Sequence, residues 1–391
     1  MLSKAVKSPS GSVWPVGLFI NNEFVKSNNT RNLAVVNPAT EEEIAQIALA
    51  SEKDLDEAVQ DAVEAFSTPD WRILSETDRG KLMFRLADLM EENCSSLASA
   101  ESLNAGKILW ASYRHCPQKL HLSQSYVWPH WSRKPVFRPV VNIINESGPV
   151  VGAAMATHTQ ISKVSFTGST RVGKELMKKL TLETGGQSAL IVFEDSNLDL
   201  AAQRAHLVFT FNQGELCTST TRILVQDTIF DRFLDALKSV TLKYHAGQPF
   251  EEETCLGPLV SKAHFDRVRE YVRLGKEEGT KDILDGCMSP EFKKGCSVSP
   301  SIFVNGRPSM RVYRDDVFGP CAVVLQFKDG DEAVRLANDS VYGLGSALFI
   351  ETISRAHNVA RRTEAGMVWV NSSNDSDFRV PFGGVKYFWH R

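Results

Sequence analysis

Between Phe166 and Arg222 the chain carries three groups whose types and order could do chemistry. The first is the glycine-bracketed turn Phe166-Thr167-Gly168-Ser169-Thr170-Arg171-Val172-Gly173. A strand that ends at Gly168-Ser169-Thr170 and reopens as a helix at Val172-Gly173 leaves backbone N–H groups at a helix N-terminus. Phosphate binds there with little help from side chains. The spacing from Gly168 to Gly173-Lys174 also matches the loop of nucleotide triphosphatases, which requires a hydroxyl after the lysine to hold magnesium. Glu175 stands there instead and would repel phosphate, so that reading is rejected.

The second group is Glu183, at the end of Leu180-Thr181-Leu182 and just before Thr184-Gly185-Gly186. A glutamate on a double-glycine turn serves as a general base if burial raises its pKa toward neutrality. A solvated glutamate at a strand end is the ordinary alternative. The third is Cys217, which follows Gly214 and precedes Thr218-Ser219-Thr220-Thr221. A thiolate is a strong nucleophile near neutral pH, and neighbouring amides favour its ionised form. An inert buried thiol is the ordinary fate of a lone cysteine. No histidine is placed to make a Cys–His pair. What favours chemistry is the pairing of Cys217 with Glu183 across one strand and one helix.

The elements that must position these groups alternate in period. Ile161–Phe166 reads as a strand, Val172 to Leu180 as a helix, Ala189–Phe193 as a buried strand and Leu200 to Phe211 as a helix. Strands at Arg222–Val225, Cys321–Phe327, Ser346–Ile350 and Met367–Asn371 alternate with helices at 229–242, 265–278, 331–338 and 352–363. Such alternation predicts an open α/β layer. Upstream, Leu18–Val25 reads as a hairpin about Asn21-Asn22, and Ser51 caps a helix with an apolar stripe at Leu55, Ala58, Val59 and Ala62. Val140–Ile144 reads as a short strand and Gly152–Ala156 as a small-residue helix. From Lys107 to Pro139 the pattern degrades: Trp110, Trp128 and Trp131 share this run with prolines at 117, 129, 135 and 139, which deny it a long helix.

The 391 residues suffice for two or three domains, and 42% hydrophobic with 23% charged residues is ordinary for a globular protein. A net charge of -3 leaves no footprint for nucleic acid, and no run approaches the roughly 20 apolar residues that cross a bilayer. Seven cysteines without a C-x-x-C pair argue against a disulfide framework and against a zinc site. Met1–Lys7 has neither the apolar core of a signal peptide nor arginines. The expectation is an unstructured lead-in and a cytoplasmic protein without metal.

Phe166–Gly173, Leu182–Gly186, Phe211–Cys217, Asp316-Val317-Phe318-Gly319-Pro320 and Pro381-Phe382-Gly383-Gly384 resemble, in order, the signatures of the aldehyde dehydrogenase superfamily. Gly257-Pro258-Leu259-Val260 and Val368-Trp369-Val370-Asn371 are similar to further landmarks, and the likeness runs from Gly17 to Lys386. It implies a Rossmann-like dinucleotide-binding domain plus a second open α/β catalytic domain. It also implies NAD+ or NADP+ as cofactor, a small-molecule aldehyde as substrate and assembly into a homo-oligomer. Cys217 would attack the aldehyde carbon, hydride would pass to the cofactor, and Glu183 would activate water to release the acid. Gly168, Ser169 and Gly173 would face the pyrophosphate and Phe318 the nicotinamide end. Asp316 stands where the family has a ribose-binding glutamate, one methylene longer.

Two parts of the family pattern are missing. The Pro-Trp-Asn motif, whose asparagine completes an oxyanion hole, has no counterpart before the glycine turn, and neither does the lysine that contacts the adenosine ribose. After Lys386 the chain closes with Tyr387-Phe388-Trp389-His390-Arg391, short of the arm that pairs with another subunit. The expected organisation is a lead-in over 1–16, a dinucleotide-binding domain over 17–183 that is incomplete around 132–140, a catalytic domain over 184–378 and a shortened segment over 379–391. The expected outcome is weak or lost oxidation of an aldehyde. A binding-only relative, a cofactor-independent thiol esterase and an incorrectly spliced version of an active enzyme stand as alternatives.

Overall fold

The computed structural model describes residues 6–7, 13–14, 16–115, 140–146, 148–175, 180–284, 294–375, 377 and 379–386, with backbone alone at 6, 7, 13, 14, 114, 115, 174, 175 and 180–184. Two compact units divide between Val164 and Ser165, ahead of the boundary read from sequence after Glu183.

In the first unit the described strands pair two by two, antiparallel: β1 (Val6–Lys7) with β2 (Val13–Trp14), β3 (Leu18–Ile20) with β4 (Glu23–Val25), and β5 (Asn32–Val36) with β6 (Glu43–Ala48). Asn21 and Asn22 close the β3–β4 hairpin with φ of 52° and 59°, a turn whose twist matches that of the strands. Helices α1 (Glu52–Ser67), α2 (Pro69–Arg72), α3 (Glu76–Glu92), α4 (Cys94–Ala105), α5 (Leu109–His115) and α6 (Val151–Thr157) follow. Ser51 caps α1, and Asp54 answers it: its Oδ2 accepts from Ser51 N at 2.7 Å and Ser27 Oγ at 2.8 Å, its Oδ1 from Asn28 N at 2.9 Å. The apolar face of α1 at Leu55 and Ala58 packs on Leu18, Ile20 and Val151. Val140–Ile144 forms no strand; only Ile143 bridges, to Phe19. Of the aromatic run, Trp110 lies on α5, while Trp128 and Trp131 fall outside the described residues.

The second unit carries the predicted α/β layer. The elements are β7 (Val164–Gly168), α7 (Thr170–Glu175), β8 (Leu180–Thr184), β9 (Ala189–Val192), α8 (Leu198–Thr210), β10 (Arg222–Gln226), α9 (Phe230–Thr241), α10 (Lys262–Glu277), β11 (Lys281–Leu284), β12 (Ser301–Val304), α11 (Arg311–Arg314), β13 (Cys321–Phe327), α12 (Gly330–Asn338), β14 (Gly345–Phe349), α13 (Ile353–Arg362) and β15 (Met367–Val370). Seven strands form one sheet in the order β11-β12-β13-β10-β9-β14-β15, parallel except for β11. Both faces are covered, so the strands read as continuous apolar runs. Ile191, Leu224 and Val323 face α10, α12 and α13; Leu190, Ile223 and Val324 face α8 and α9. β7 and β8 make a separate two-stranded sheet. The helix expected from Val172 to Leu180 does not reach Leu180, where β8 begins; α7 is described to Glu175, and 176–179 lie outside the described residues.

One buried cation fastens the sheet. Arg222 at the head of β10 is 3% exposed, and its partners are neutral oxygens: Nε donates to Gln187 O at 2.9 Å, Nη1 to Leu336 O at 3.1 Å and Nη2 to Ala337 O at 3.0 Å. The last two carbonyls end α12, where the helix dipole favours positive charge. Their hold anchors β10, the strand that follows Cys217.

Candidate active site

Cys217 follows a 3-10 turn, Phe211–Gly214, in which Asn212, Gln213 and Gly214 have φ of 49°, 59° and 73°. Non-glycine residues in this region cost about 1 kcal/mol or more each, so neighbours must hold them. Asn212 Nδ2 donates to Glu215 O at 2.9 Å, and Glu215 N returns a bond to Asn212 O at 2.9 Å. A Cβ on Gly214 would run into the Gly319 carbonyl and stand 2.8 Å from Phe209 O, so only glycine lets this turn lie against the Asp316–Pro320 loop.

Gly186 makes the second joint. A Cβ there would stand 2.6 Å from the Cys217 carbonyl carbon and 3.5 Å from its Cα. The double-glycine turn that follows Glu183 therefore lies directly on the backbone of Cys217. Gly185, at φ 52°, faces Tyr342, Asp316 and Thr170, which ties the same turn to the first residue of α7. Glu183 has its backbone in β8, while its side chain lies outside the described residues.

The residues expected from the sequence to face the cofactor lie in the same unit. Gly168 and Ser169 are exposed and Gly173 is buried. Gly173 N donates to Ser169 O at 2.9 Å, so it closes the first turn of α7. Asp316 Oδ2 accepts from Gly186 N at 3.3 Å, and burial pushes its carboxyl above the usual carboxylate range. Arg267 Nη2 donates to Asp316 O at 2.6 Å. Phe318 adopts φ 58°, and its carbonyl meets His264 Nε2 at 2.7 Å. Four of the five signature segments named above thus converge in one unit, and that convergence gives meaning to the family match. The aldehyde dehydrogenase family profile matches residues 24–128 and 136–388. The chain belongs to the aldehyde dehydrogenase family.

Relatives in this family are similar over nearly their whole length. The NAD(P)+ aldehyde dehydrogenase 2 of Saccharomyces cerevisiae is 34% identical over 461 residues, covering 95% of this chain and 90% of the yeast protein. Aldehyde dehydrogenase 1A1 of Oryctolagus cuniculus is 32% identical over 450 residues, covering 94% and 90%. Among solved structures, the indole-3-acetaldehyde dehydrogenase AldA of P. syringae, in complex with NAD+, superposes with a TM-score of 0.93 at 27% identity, covering 97% and 93%.

Two buried residues beside Cys217 and Phe318 escaped the sequence reading. Glu215 has a side chain only 8% exposed; burial pushes its pKa up to about 8, although the Val260 N–H, 3.1 Å from Oε1, works against the rise. His264, on α10, brings Nε2 to 3.4 Å from the same oxygen, and burial pulls its pKa below the ordinary histidine value. The position of Glu215 two residues before Cys217 was a usable signal; His264, far along the chain, offered none.

The other described cysteines suit no such role. Cys296 and Cys321 are buried, and burial pushes the Cys321 thiol up to about 12. Cys116 and Cys287 lie outside the described residues. Among the described residues no three metal-ligating side chains come together, and no helix is long and apolar enough to cross a membrane.

A nicotinamide dinucleotide can be tested against these residues. The exposed turn at Gly168-Ser169, opening α7, suits a pyrophosphate. The Asp316 carboxyl, already holding the Gly186 amide, is the described group at the ribose position of the family. In chemistry these residues suit the phosphate and a ribose hydroxyl of such a group.

Proposed function

We propose that this chain oxidises a small aldehyde to the carboxylic acid with NAD(P)+, using Cys217 as nucleophile and Glu183 as the base that activates water. The observation that carries the reading is the seating of Gly186 on the Cys217 backbone, which brings the turn that follows Glu183 to the residue that bears the thiol. Cys217 Sγ attacks the carbonyl carbon, a C–S bond forms and the carbonyl π pair moves to oxygen. The bound nicotinamide supplies the acceptor for the hydride that leaves this carbon. Glu183 then takes a proton from water, whose oxygen attacks the thioester carbon; the C–S bond breaks and the thiolate returns. Gly168 and Ser169 hold the pyrophosphate, Asp316 the ribose, and Phe318 orients the nicotinamide end. Gly173 shapes the turn from within α7.

The activity is reduced by a missing internal block. Alignment with the yeast enzyme runs over 461 positions, whereas 95% of 391 residues is about 371, leaving about 90 positions of that relative without a counterpart. The family match is also interrupted between 128 and 136, near the break read from sequence. Loss of one oxyanion-hole donor lowers turnover about 10²–10³-fold. Reduced nicotinamide formation, followed by absorbance with NAD+ and a short aliphatic aldehyde, tests the reading with Cys217→Ala as control. Slow turnover abolished by the substitution is the expected result. NAD+ binding without turnover would leave a binding-only relative. Ester hydrolysis indifferent to NAD+ and lost with Cys217 would leave a thiol esterase.

A further inference from the structure

Glu215, Val260, His264 and Phe318 come from three separate stretches and meet in one chain of contacts that the reaction written above leaves unused. A carbonyl only accepts, so the 2.7 Å contact with Phe318 O means that His264 Nε2 carries the hydrogen. The same nitrogen lies 3.4 Å from Glu215 Oε1, which takes the Val260 N–H at 3.1 Å. The two side chains are 14% and 8% exposed, so these contacts compete little with water. Phe318 sits at φ 58°, a conformation that a phenylalanine keeps only when its surroundings hold it. The His264 bond is the described contact that fixes its carbonyl.

Burial, reinforced by Arg267 one turn along α10, lowers the pKa of His264, and Asp316 lies in the loop that Phe318 shares. Cys217, two residues beyond Glu215, is the nucleophile in the reading above. Burial keeps Glu215 protonated at pH 7.

We propose that Glu215 and His264 are positioning residues: packed against each other, Glu215 holding the Val260 amide and His264 donating to the Phe318 carbonyl, they lock the Phe318 loop to the Cys217 turn. They thereby set where the loop that orients the nicotinamide stands relative to the thiol. The cofactor half of this inference rests on the proposed function; the locking of the thiol turn does not.

The full chain supplies both readouts: NAD+ affinity by equilibrium titration, and carbamidomethylation of the Cys217 peptide by mass spectrometry. His264→Phe keeps a ring without a donor. It should weaken NAD+ about tenfold and change the Cys217 labelling rate by a similar factor, the effect of one hydrogen bond. His264→Gln, which restores an N–H, should recover most of both. Glu215→Gln should stay close to wild type at pH 7, because a carboxamide copies the neutral acid. It should also remove the change in NAD+ affinity expected of wild type as pH rises past 8 and Glu215 ionises. Glu215→Ala should fail at both pH values with its thermal midpoint near that of Glu215→Gln. Wild-type labelling in His264→Phe would overturn the proposal, as would a Glu215→Gln protein as impaired at pH 7 as Glu215→Ala. If wild type binds no NAD+, the cofactor reading fails and the labelling rates alone decide the locking.

Discussion

Replacing Gly186 with alanine strains the joint between the two segments proposed to carry the base and the nucleophile. The new Cβ would overlap the Cys217 carbonyl oxygen and stand 2.6 Å from its carbon, whereas atoms in contact rest about 3.5–4.0 Å apart, so one segment must retreat by more than about 1 Å. Neither side gives easily. The Gly186 N–H is held by Asp316 Oδ2, and the Cys217 turn is fastened by the reciprocal bonds of Asn212 and Glu215. Overpacking of this kind costs about 1–3 kcal/mol. A reacting group displaced by about 1 Å loses about 10²-fold in rate. Gly186→Ala should therefore lower the thermal midpoint by several degrees, at about 2–4 °C per kcal/mol. It should also reduce turnover, and change Cys217 carbamidomethylation, by a far larger factor than that destabilisation explains. Gly330→Ala is the control, because a Cβ at that first residue of α12 meets nothing within 4 Å. It should be neutral, or stabilising by up to about 1 kcal/mol. A Gly186→Ala protein with unchanged midpoint, turnover and labelling would show that the turn does not rest on Cys217, and the argument for pairing Glu183 with the thiol would go with it.

Asp54 is 1% exposed with its pKa lowered to about 2 by bonds from Asn28, Ser51 and Ser27 that outweigh the opposing effect of burial. Its folded value lies below the unfolded one, so it contributes about 2 kcal/mol above pH 4 that disappears as pH falls toward 2. Asp54→Asn should flatten the acid side of the melting-temperature profile, and an unchanged slope would refute the assignment. His206 is 0% exposed, and burial lowers its pKa to about 4. The unfolded chain binds the proton more readily, so about 3 kcal/mol present above pH 6.5 is lost as pH falls to 4. His206→Phe should remove that part of the slope, and a retained slope would place its origin elsewhere. Cys296 and Cys321 should resist carbamidomethylation until the protein unfolds, while Cys217 labels in the native state; early labelling of Cys321 by peptide mass spectrometry would contradict its burial.

Legibility in the sequence followed burial. β13 has the bounds read from its apolar run, because a strand covered on both faces shows one uninterrupted signal. β12 is just as buried, yet its four residues, Ser301–Val304, were too short to stand out, and the half-exposed β11 beside it left no alternation. In the first unit, β5 and β6 went unread around the turn at Asn37–Thr40, since β5 buries only Val35 among its five residues. The site motifs were readable because glycine marks close approach: Gly185-Gly186 and Gly214 stand where the backbones meet. Glu215 and His264 were not, because their significance arises from a contact between residues distant in sequence.

The strand order also constrains how the second unit comes together. β9 and β10 are neighbours in both sequence and space, joined by α8, and can form the seed of the sheet early. β11 and β12 are made next, but the place of β12 is beyond β13, which does not yet exist when β12 leaves the ribosome. During that interval the edge of β10 is open to another buried parallel strand, and β12 is apolar enough to occupy it. Non-local parallel pairing forms slowly, and unpaired edges invite wrong partners. Synthesis must run past Phe327 before the intended neighbour can claim that edge, so the order of translation itself opens a window in which one strand can pair out of place.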